Sequence, residues 1–309
     1  MNNPQFSVVM PVYNAAEHLL ETIRSVLNQS ERDFEFIMID DGSTDDSLSL
    51  MLSFASEDER IKLVSQKNKG VSGARNLGIG LARGSLVAFI DADDLWDANK
   101  LAVHRSFHAE NSNAVASYAK VAFMQNDAAH DHQARTFSTV KSGDLSIDQV
   151  IAENPVCTMS NLVVRNDIVQ SIGKFEAEMS YAEDQEWLAR LISKGHGIVG
   201  IDEYLVDYRL SPLGLSADLP AMFAGWRQLA TQYAPVDQLL SSEAIYCRYL
   251  SRRALRAGAP ARIALAYAMQ GLQADREAFL EDEKRGWLTL LSAFAAFLMP
   301  RSTRVHVFA

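Results

Sequence analysis

Phe34-Glu35-Phe36-Ile37-Met38-Ile39-Asp40-Asp41-Gly42-Ser43-Thr44-Asp45 passes within twelve residues from an apolar, β-prone run to a turn of acids and hydroxyls. The run lacks the apolar–polar alternation of a half-wet strand, so it reads as a strand covered on both faces. The same grammar repeats around it. Upstream, Phe6-Ser7-Val8-Val9-Met10 is a first β-prone run, and Ala16, Leu19, Leu20, Ile23, Val26 and Leu27 follow at helical spacing. Downstream, Leu48, Met51, Leu52 and Ala55 share a helical face, a short strand at 61–64 leads to a helix around 72–82, and residues 85–90 form a fourth apolar run. Repeated strand–helix units with uniformly apolar strands predict a parallel α/β sheet covered on both faces, whose ligands bind at the carboxyl ends of its strands.

Carboxylates cluster at those ends. The second strand enters Asp40-Asp41-Gly42-Ser43-Thr44-Asp45 and the fourth enters Asp91-Ala92-Asp93-Asp94, so both acidic turns fall on one sheet edge. Crowded carboxylates repel unless a cation is present. A hard divalent cation that shares its coordination between carboxylate oxygens, phosphates and water relieves the crowding. The pocket therefore suggests a metal–nucleotide complex. A plainer reading stands beside it: Ser43 and Thr44 would simply cap the helix at 48–55. Asp91-Ala92-Asp93 opens like a calcium loop, but Leu95 and Trp96 stand where that loop needs an oxygen ligand and a glycine, which excludes it. Gly78, Gly80 and Gly84 follow or lie in a helix and precede a strand, the reverse of a dinucleotide fingerprint; close helix packing accounts for them better.

The chain has 309 residues, 29 Lys plus Arg and 39 Asp plus Glu, a formal net charge of −10, which argues against nucleic acid as a partner. With 48% hydrophobic and 22% charged residues it has the composition of a globular chain with a sizeable core. Cys157 and Cys247 have no paired spacing, so neither a disulfide framework nor a cysteine zinc site is indicated, and both are expected to be reduced and buried. No secretory signal is read at the start, and the weakly polar stretch 287–299 is short of the ~20 residues of a spanning helix, so no transmembrane segment is expected.

The series Ser7-Val8-Val9-Met10-Pro11-Val12-Tyr13-Asn14, Asp40-Asp41-Gly42-Ser43-Thr44-Asp45, Gly70-Val71-Ser72-Gly73-Ala74-Arg75-Asn76-Leu77-Gly78, Asp91-Ala92-Asp93-Asp94 and Glu183-Asp184 resembles the family 2 glycosyltransferases in order and spacing. The resemblance covers about residues 5–210. It implies the GT-A fold, a Rossmann-like mixed but mostly parallel sheet, and an inverting transfer of sugar from a nucleotide diphosphate sugar to an acceptor hydroxyl. Pro11, Tyr13 and Asp41 would then surround the base, with Asp41 accepting from a uracil-like imide, so that a UDP-sugar is favoured. Arg75 is similar in position to a nucleotide-contacting basic residue of some members, beside the alternative of an exposed helical arginine. Asp91 would approach the ribose and Asp93 the Mn2+ or Mg2+ on the diphosphate, with Asp94 held in reserve as ligand. Asp184 would be the catalytic base, against the alternative of an acid that merely complements the helix dipole. Arg209 would approach the diphosphate or bridge between domains.

The domain expectation is a catalytic unit at 1–212 and a mainly helical C-terminal extension at 213–309. Within the extension, helices flanking Gly258-Ala259-Pro260 could pair as a hairpin. Arg248, Arg252, Arg253, Arg256 and Arg262, without an acid among them, suggest a basic face. The run 287–299 lies between Lys284-Arg285 and Arg301 with Arg304, as in helices at a membrane interface, although a helix packed on the catalytic domain is the stronger reading. The polar stretch 125–143 is expected as loops or an irregular hairpin, and His130 with His132 in it as solvated rather than zinc-binding. The expected protein is cytoplasmic, with peripheral attachment to the inner face of the membrane as the further option. It would extend a glycan or a lipid-linked acceptor in surface polysaccharide synthesis. The competing functions are a sugar-nucleotide nucleotidyltransferase, which would carry a Gly-rich basic loop where Pro11-Val12-Tyr13-Asn14 stands, and a non-catalytic sugar-nucleotide-binding protein.

Overall fold

The computed structural model describes residues 3–125, 136–179, 181–210, 218–300, 303–304 and 307. His130 and His132 lie outside the described residues, as does the expected connection at 211–214. The chain divides into two compact units, one of residues 1–145 and 155–210 and one of residues 146–154 and 211–309. The second unit thus takes in a segment that a single boundary near residue 213 leaves with the first.

The first unit opens with β1 (Phe6–Val12), α1 (Ala16–Leu27), β2 (Phe34–Asp40), α2 (Ser47–Glu57), β3 (Ile61–Ser65), α3 (Gly70–Leu81) and β4 (Leu86–Phe89). β3, β2, β1 and β4 lie side by side in parallel. Every residue of β1, β2 and β4 is buried, which is why these strands read as continuous apolar runs. Glu35 and the terminal Asp40 are the charged residues within β2, and Glu35 lies among its apolar run. Burial works to raise its carboxyl, but hydrogen bonds from Lys62, Ser7 and Arg83 prevail and hold it down at about 2.

After β4 come β5 (Leu95–Trp96), α4 (Lys100–Glu110), β6 (Ala116–Gln125) and β7 (Thr136–Phe137). α5 (Ile147–Ala152) follows, then β8 (Val163–Arg165), α6 (Asn166–Ile172), α7 (Glu183–Ser193) and β9 (Ile198–Leu210). The sheet order is β3-β2-β1-β4-β8-β6-β9-β5, with β7 on β6. β8 runs antiparallel to both β4 and β6, while β6 and β9 pair in parallel over a long register, giving a mixed sheet. Two glycines account for close packing of α3 and its C-terminal turn on β1. A Cβ on Gly78 would stand 2.3 Å from Cγ1 of Val9, and one on Gly84 2.4 Å from the Ser7 amide, whereas Gly80 faces open space and has no packing role.

The second unit contains α5 and α8 (Leu219–Tyr233), α9 (Leu239–Arg256), α10 (Ala261–Ala274), α11 (Arg276–Leu280) and α12 (Glu283–Ala295). α5 starts on a capping box, with Ser146 Oγ accepting from the Gln149 amide and Gln149 Oε1 from the Ser146 amide. It belongs to this unit because the Trp226 indole donates to the Ile151 carbonyl at 2.8 Å and Ile151 joins the core of Trp226, Tyr246, Leu250 and Phe279. α9 and α10 pack together around the Gly258-Ala259-Pro260 turn. The expected basic face is largely spent on internal bonds. Arg248 is buried and donates to the Phe279 carbonyl at 2.8 Å, Arg253 donates to the Tyr249 hydroxyl, and Arg252 approaches Glu153 at 3.7 Å. Cys247 is buried but Cys157 is only partly so; both are free thiols.

Candidate active site

The ends of β1 and β2 are tied to each other. The Asp41 amide donates to the Val12 carbonyl at 2.8 Å, and Asn14, in a left-handed conformation at φ 49°, accepts from the Thr44 amide and donates its own amide to Ser43 Oγ. The hydroxyls therefore brace the β1–α1 loop. They do not cap α2, whose N-cap is Asp46 without a side-chain bond. Asp45 serves both helices, Oδ2 accepting from the Ala16 amide at 3.0 Å and Oδ1 from the amide of Ser47, the first residue of α2, at 3.0 Å. Pro11 is buried in β1 and Tyr13 is 52% exposed beside it. Asp41 is buried at 2% exposure, with Oδ1 accepting from Gln66 Nε2 at 2.8 Å and from the Lys69 amide at 2.9 Å.

At the end of β4 the acidic turn is held from below. The Asp91 amide donates to Ser160 Oγ. Thr158 Oγ1 donates to Asp91 Oδ2 at 3.2 Å and to Asp94 Oδ2 at 3.1 Å, and Ser160 Oγ donates to Asp94 Oδ2 at 2.6 Å. Asp94 Oδ1 accepts from the Arg209 amide. With 0% exposure and both oxygens engaged by protein donors, Asp94 is a brace of the turn, which removes the ground for holding it in reserve as a ligand. Asp91 and Asp93 keep partial exposure. Burial first, and the charge of Asp91 second, push the Asp93 carboxyl up to about 6. Arg209 is likewise internal to this unit: Nη2 pairs with Glu21 at 2.9 Å and Nε donates to the Asp93 carbonyl at 3.0 Å.

Helix α7 supplies the remaining acids. Its start is set by Ala182 at φ 61°, an unfavourable conformation for a residue with a Cβ. Trp187 and Leu188 are fully buried and fix the helix on the sheet, so the Glu183-Asp184 turn is rigidly placed. Arg75 joins this turn to β4. It is buried, Nη2 reaches Asp91 Oδ1 at 2.7 Å, Nη1 reaches Glu183 Oε1 at 3.0 Å, and its guanidinium lies 5.6 Å from the Phe175 ring centre. It is thus neither an exposed helical arginine nor a free cation. Burial, then the charge of Asp184, push the Glu183 carboxyl up to about 7 against the opposing pull of Arg75. Burial raises the Asp184 carboxyl too, opposed chiefly by the Gln185 amide, which donates to Oδ1 at 2.8 Å.

Asp91, Asp93, Arg75, Glu183 and Asp184 therefore meet at the carboxyl end of β4, and Pro11, Tyr13 and Asp41 stand at the ends of β1 and β2. Sequence reasoning missed Thr158, Ser160 and Glu21, which bond to the acidic turn or to Arg209. The only trace of the first two is a pair of hydroxyls just before the apolar run at 162–164. Asn76 follows Arg75 in α3. It bonds the Phe175 backbone in both directions, at 2.9 and 2.8 Å, and so seats the ring beneath Arg75.

For a divalent metal, the donor set fits the chemistry of magnesium or manganese. No group of three or more His, Cys, Asp or Glu among the described residues would hold a metal by protein atoms alone. These ions are commonly bound through one or two carboxylates plus substrate phosphates and water. Asp93 suits that mode, being partly exposed beside a second carboxylate that raises its proton affinity and would equally favour a cation.

The mixed sheet with acids at one edge has the GT-A fold of the solved structures named below. Residues 7–173 match the family described as Glycosyl transferase family 2, and the chain belongs to that family. An uncharacterized glycosyltransferase of Rickettsia conorii is 33% identical over 217 residues, 68% of this chain and 34% of the relative; the chain spans about a third of that relative's length. A putative teichuronic acid biosynthesis glycosyltransferase, TuaG of Bacillus subtilis, is 28% identical over 79% of this chain and 93% of its own. Among solved structures, S. aureus TarS 1–349 in complex with UDP-GlcNAc superposes with a TM-score of 0.57 at 15% identity, covering 95% of this chain and 91% of that one. The mannosyltransferase PcManGT of Pyrobaculum calidifontis, in complex with GDP-Man and Mn2+, gives 0.57 at 18% identity over 100% and 85%. At these identities the structural likeness establishes the fold.

Proposed function

We propose that the protein is an inverting glycosyltransferase that moves a sugar from a nucleotide diphosphate sugar, with UDP-sugars favoured, to a hydroxyl of a glycan or lipid-linked acceptor in surface polysaccharide synthesis. The observation that carries this reading is Arg75 bridging Asp91, beyond the end of β4, to Glu183, beside Asp184 at the start of α7, so that the acids of both turns are held in one frame. TuaG, whose name assigns it to teichuronic acid biosynthesis, supports the polysaccharide context. TarS and PcManGT, solved with UDP-GlcNAc and GDP-Man, support a nucleotide sugar as donor.

In this account Pro11, Tyr13 and Asp41 receive the base, with Asp41 using the oxygen not engaged by Gln66 and Lys69. Asp91 approaches the ribose, and its orientation is fixed by Arg75 and Thr158. Asp93 would hold Mn2+ or Mg2+, which, when bound, neutralises charge that develops on the departing diphosphate. Asp184 takes the proton from the acceptor hydroxyl as that oxygen attacks the anomeric carbon. Its burial-raised carboxyl suits a base, and its seat on a rigid helical turn suits positioning. Arg75 in this account does not touch the donor; it holds Asp91 and Glu183 in place.

The test is a panel of nucleotide sugars, with and without manganese, read by thermal shift and by transfer to a polyisoprenoid-linked or free glycan acceptor. Binding to the native state raises the melting temperature as ligand concentration rises. Manganese-dependent stabilisation by one diphosphate sugar together with transfer supports the account. Stabilisation by a nucleoside triphosphate with pyrophosphate release would support the nucleotidyltransferase instead. Stabilisation without turnover would support a binding protein.

A further inference from the structure

Helix α12 is packed inside out. The residues it buries against the second unit are small, Gly286, Thr289, Ala293 and, in the turn beyond, Ala296. Apart from Leu290, which packs partly buried on the core of the second unit, the large apolar side chains of the same stretch face away: Trp287, Leu288, Leu291, Phe294 and Phe297 are each about half exposed and Leu298 is 88% exposed. A Cβ on Gly286 would meet the Phe279 carbonyl at 2.8 Å, so small residues are what let α12 sit close on α11. No charge interrupts the outer stripe from Trp287 to Leu298. Three aromatic side chains of roughly 150–250 Å² each, about half exposed, present on the order of 300 Å², and the three leucines a comparable area, for on the order of 600 Å² together. That is at the top of the roughly 300–600 Å² found for the largest apolar patch of a monomer. It approaches the roughly 800 Å² that each partner gives to a standard interface.

Charge decides between the occupants. The amino end of α12 carries Glu281, Asp282 and Glu283 beside Lys284 and Arg285, with Arg285 already paired with Asp282 at 3.2 Å and with Glu153 at 3.9 Å, whereas the sequence beyond the carboxyl end carries Arg301 and Arg304, so the two ends are complementary in an antiparallel pairing. In a chain of net charge −10 the amino end offers an anionic bilayer little attraction. We infer that the outer face of α12 is a self-association surface, which a second copy of this chain covers in an antiparallel, two-fold pairing about an axis near Leu291. Such a pairing is isologous, so Leu291 meets its own copy and Leu288 of each copy lies against Phe294 of the other. The acidic amino end of each helix then lies toward the carboxyl end of its partner, away from the acids of the other copy.

Sedimentation velocity on the full chain from 1 to 50 µM tests this, since the expected species is a concentration-dependent dimer. Leu291→Glu, at a 60% exposed position, should raise the dimer dissociation constant at least about tenfold while leaving the circular dichroism and melting temperature in place. Leu291→Cys in a Cys157→Ser background should form a disulfide-linked dimer on mild oxidation, and this readout serves if Leu291→Glu fails to fold. A monomer at every concentration overturns the inference. So does a dimer that Leu291→Glu leaves unchanged and Leu291→Cys does not cross-link. A monomer that co-sediments with phosphatidylethanolamine–phosphatidylglycerol vesicles overturns it in favour of a lipid surface as the occupant.

Discussion

Replacing Arg75 by glutamine removes the cation that faces two carboxylates, Asp91 at 2.7 Å and Glu183 at 3.0 Å, from a side chain that is 5% exposed. Removing one partner of a buried pair leaves an uncompensated charge and costs about 3–5 kcal/mol. Part of that cost depends on pH, and its sign follows from Glu183. Its carboxyl stands at about 7 in the folded protein, raised by burial and by Asp184 from 4.5, with Arg75 holding it down. A raised carboxyl binds its proton more readily in the folded state, so its contribution to stability falls as pH rises from about 4.5 through about 7. Without Arg75 the folded value moves higher and the fall extends further. The stability lost in Arg75→Gln should therefore be smaller at pH 5.5, where Glu183 is protonated in both proteins, and larger at pH 8 by at least about 1 kcal/mol, the worth of roughly one pKa unit. Urea unfolding followed by tryptophan fluorescence at the two pH values reads the difference, with Trp96 and Trp187 reporting on the first unit. An equal loss at both pH values, or a total loss below about 1 kcal/mol, would refute the coupling of Arg75 to Glu183.

Asp93→Ala should abolish manganese-dependent binding of a nucleoside diphosphate in calorimetry with the fold intact. In the unsubstituted protein that binding should weaken about tenfold from pH 7 to pH 5, because a ligand carboxylate must be ionised and this one stands at about 6. Asp41→Asn should lower affinity for UDP more than for CDP, since the engaged oxygen already serves Gln66 and Lys69; equal loss for both nucleotides would reduce Asp41 to a brace of the β2–α2 turn. Gly78→Ala should destabilise the first unit by about 1–3 kcal/mol through overpacking on Val9, whereas Gly80→Ala, in open space within the same helix, should be neutral or stabilising in thermal melts.

Strands β1, β2 and β4 were legible because burial on both faces writes a continuous apolar run that needs no tertiary knowledge, and the acidic turns were legible because they follow those runs directly. What long-range pairing decides was not. Arg75, read from its helix alone, offers a charge to solvent; only the fold brings Asp91 and Glu183 to it, across sequence separations of 16 and 108 residues. Ser43 and Thr44 look like caps for the helix that follows them, yet the loop closes back on Asn14 and the hydroxyls serve β1–α1. Asp94 is adjacent to Asp93 in sequence, but Asp94 is fully buried where Asp93 keeps partial exposure, because Thr158, Ser160 and Arg209 converge on Asp94 from distant segments. Residues 146–154 read as part of the catalytic chain, and it is the Trp226–Ile151 contact that assigns them to the helical unit.

The central claim is that Asp184 acts on the acceptor proton while the β4 acids serve the donor, and Asp184→Asn separates those roles. The amide keeps the size of the carboxyl and can still accept from the Gln185 amide, which now meets Oδ1 at 2.8 Å, but it cannot take a proton. With the donor identified by the panel above, single-turnover transfer and manganese-dependent donor affinity are measured on the same preparation. The account predicts that transfer falls by roughly 10²- to 10⁴-fold, the worth of a positioned general base, and that donor affinity stays within about twofold. Full transfer by Asp184→Asn, or loss of donor binding in step with transfer, would contradict it.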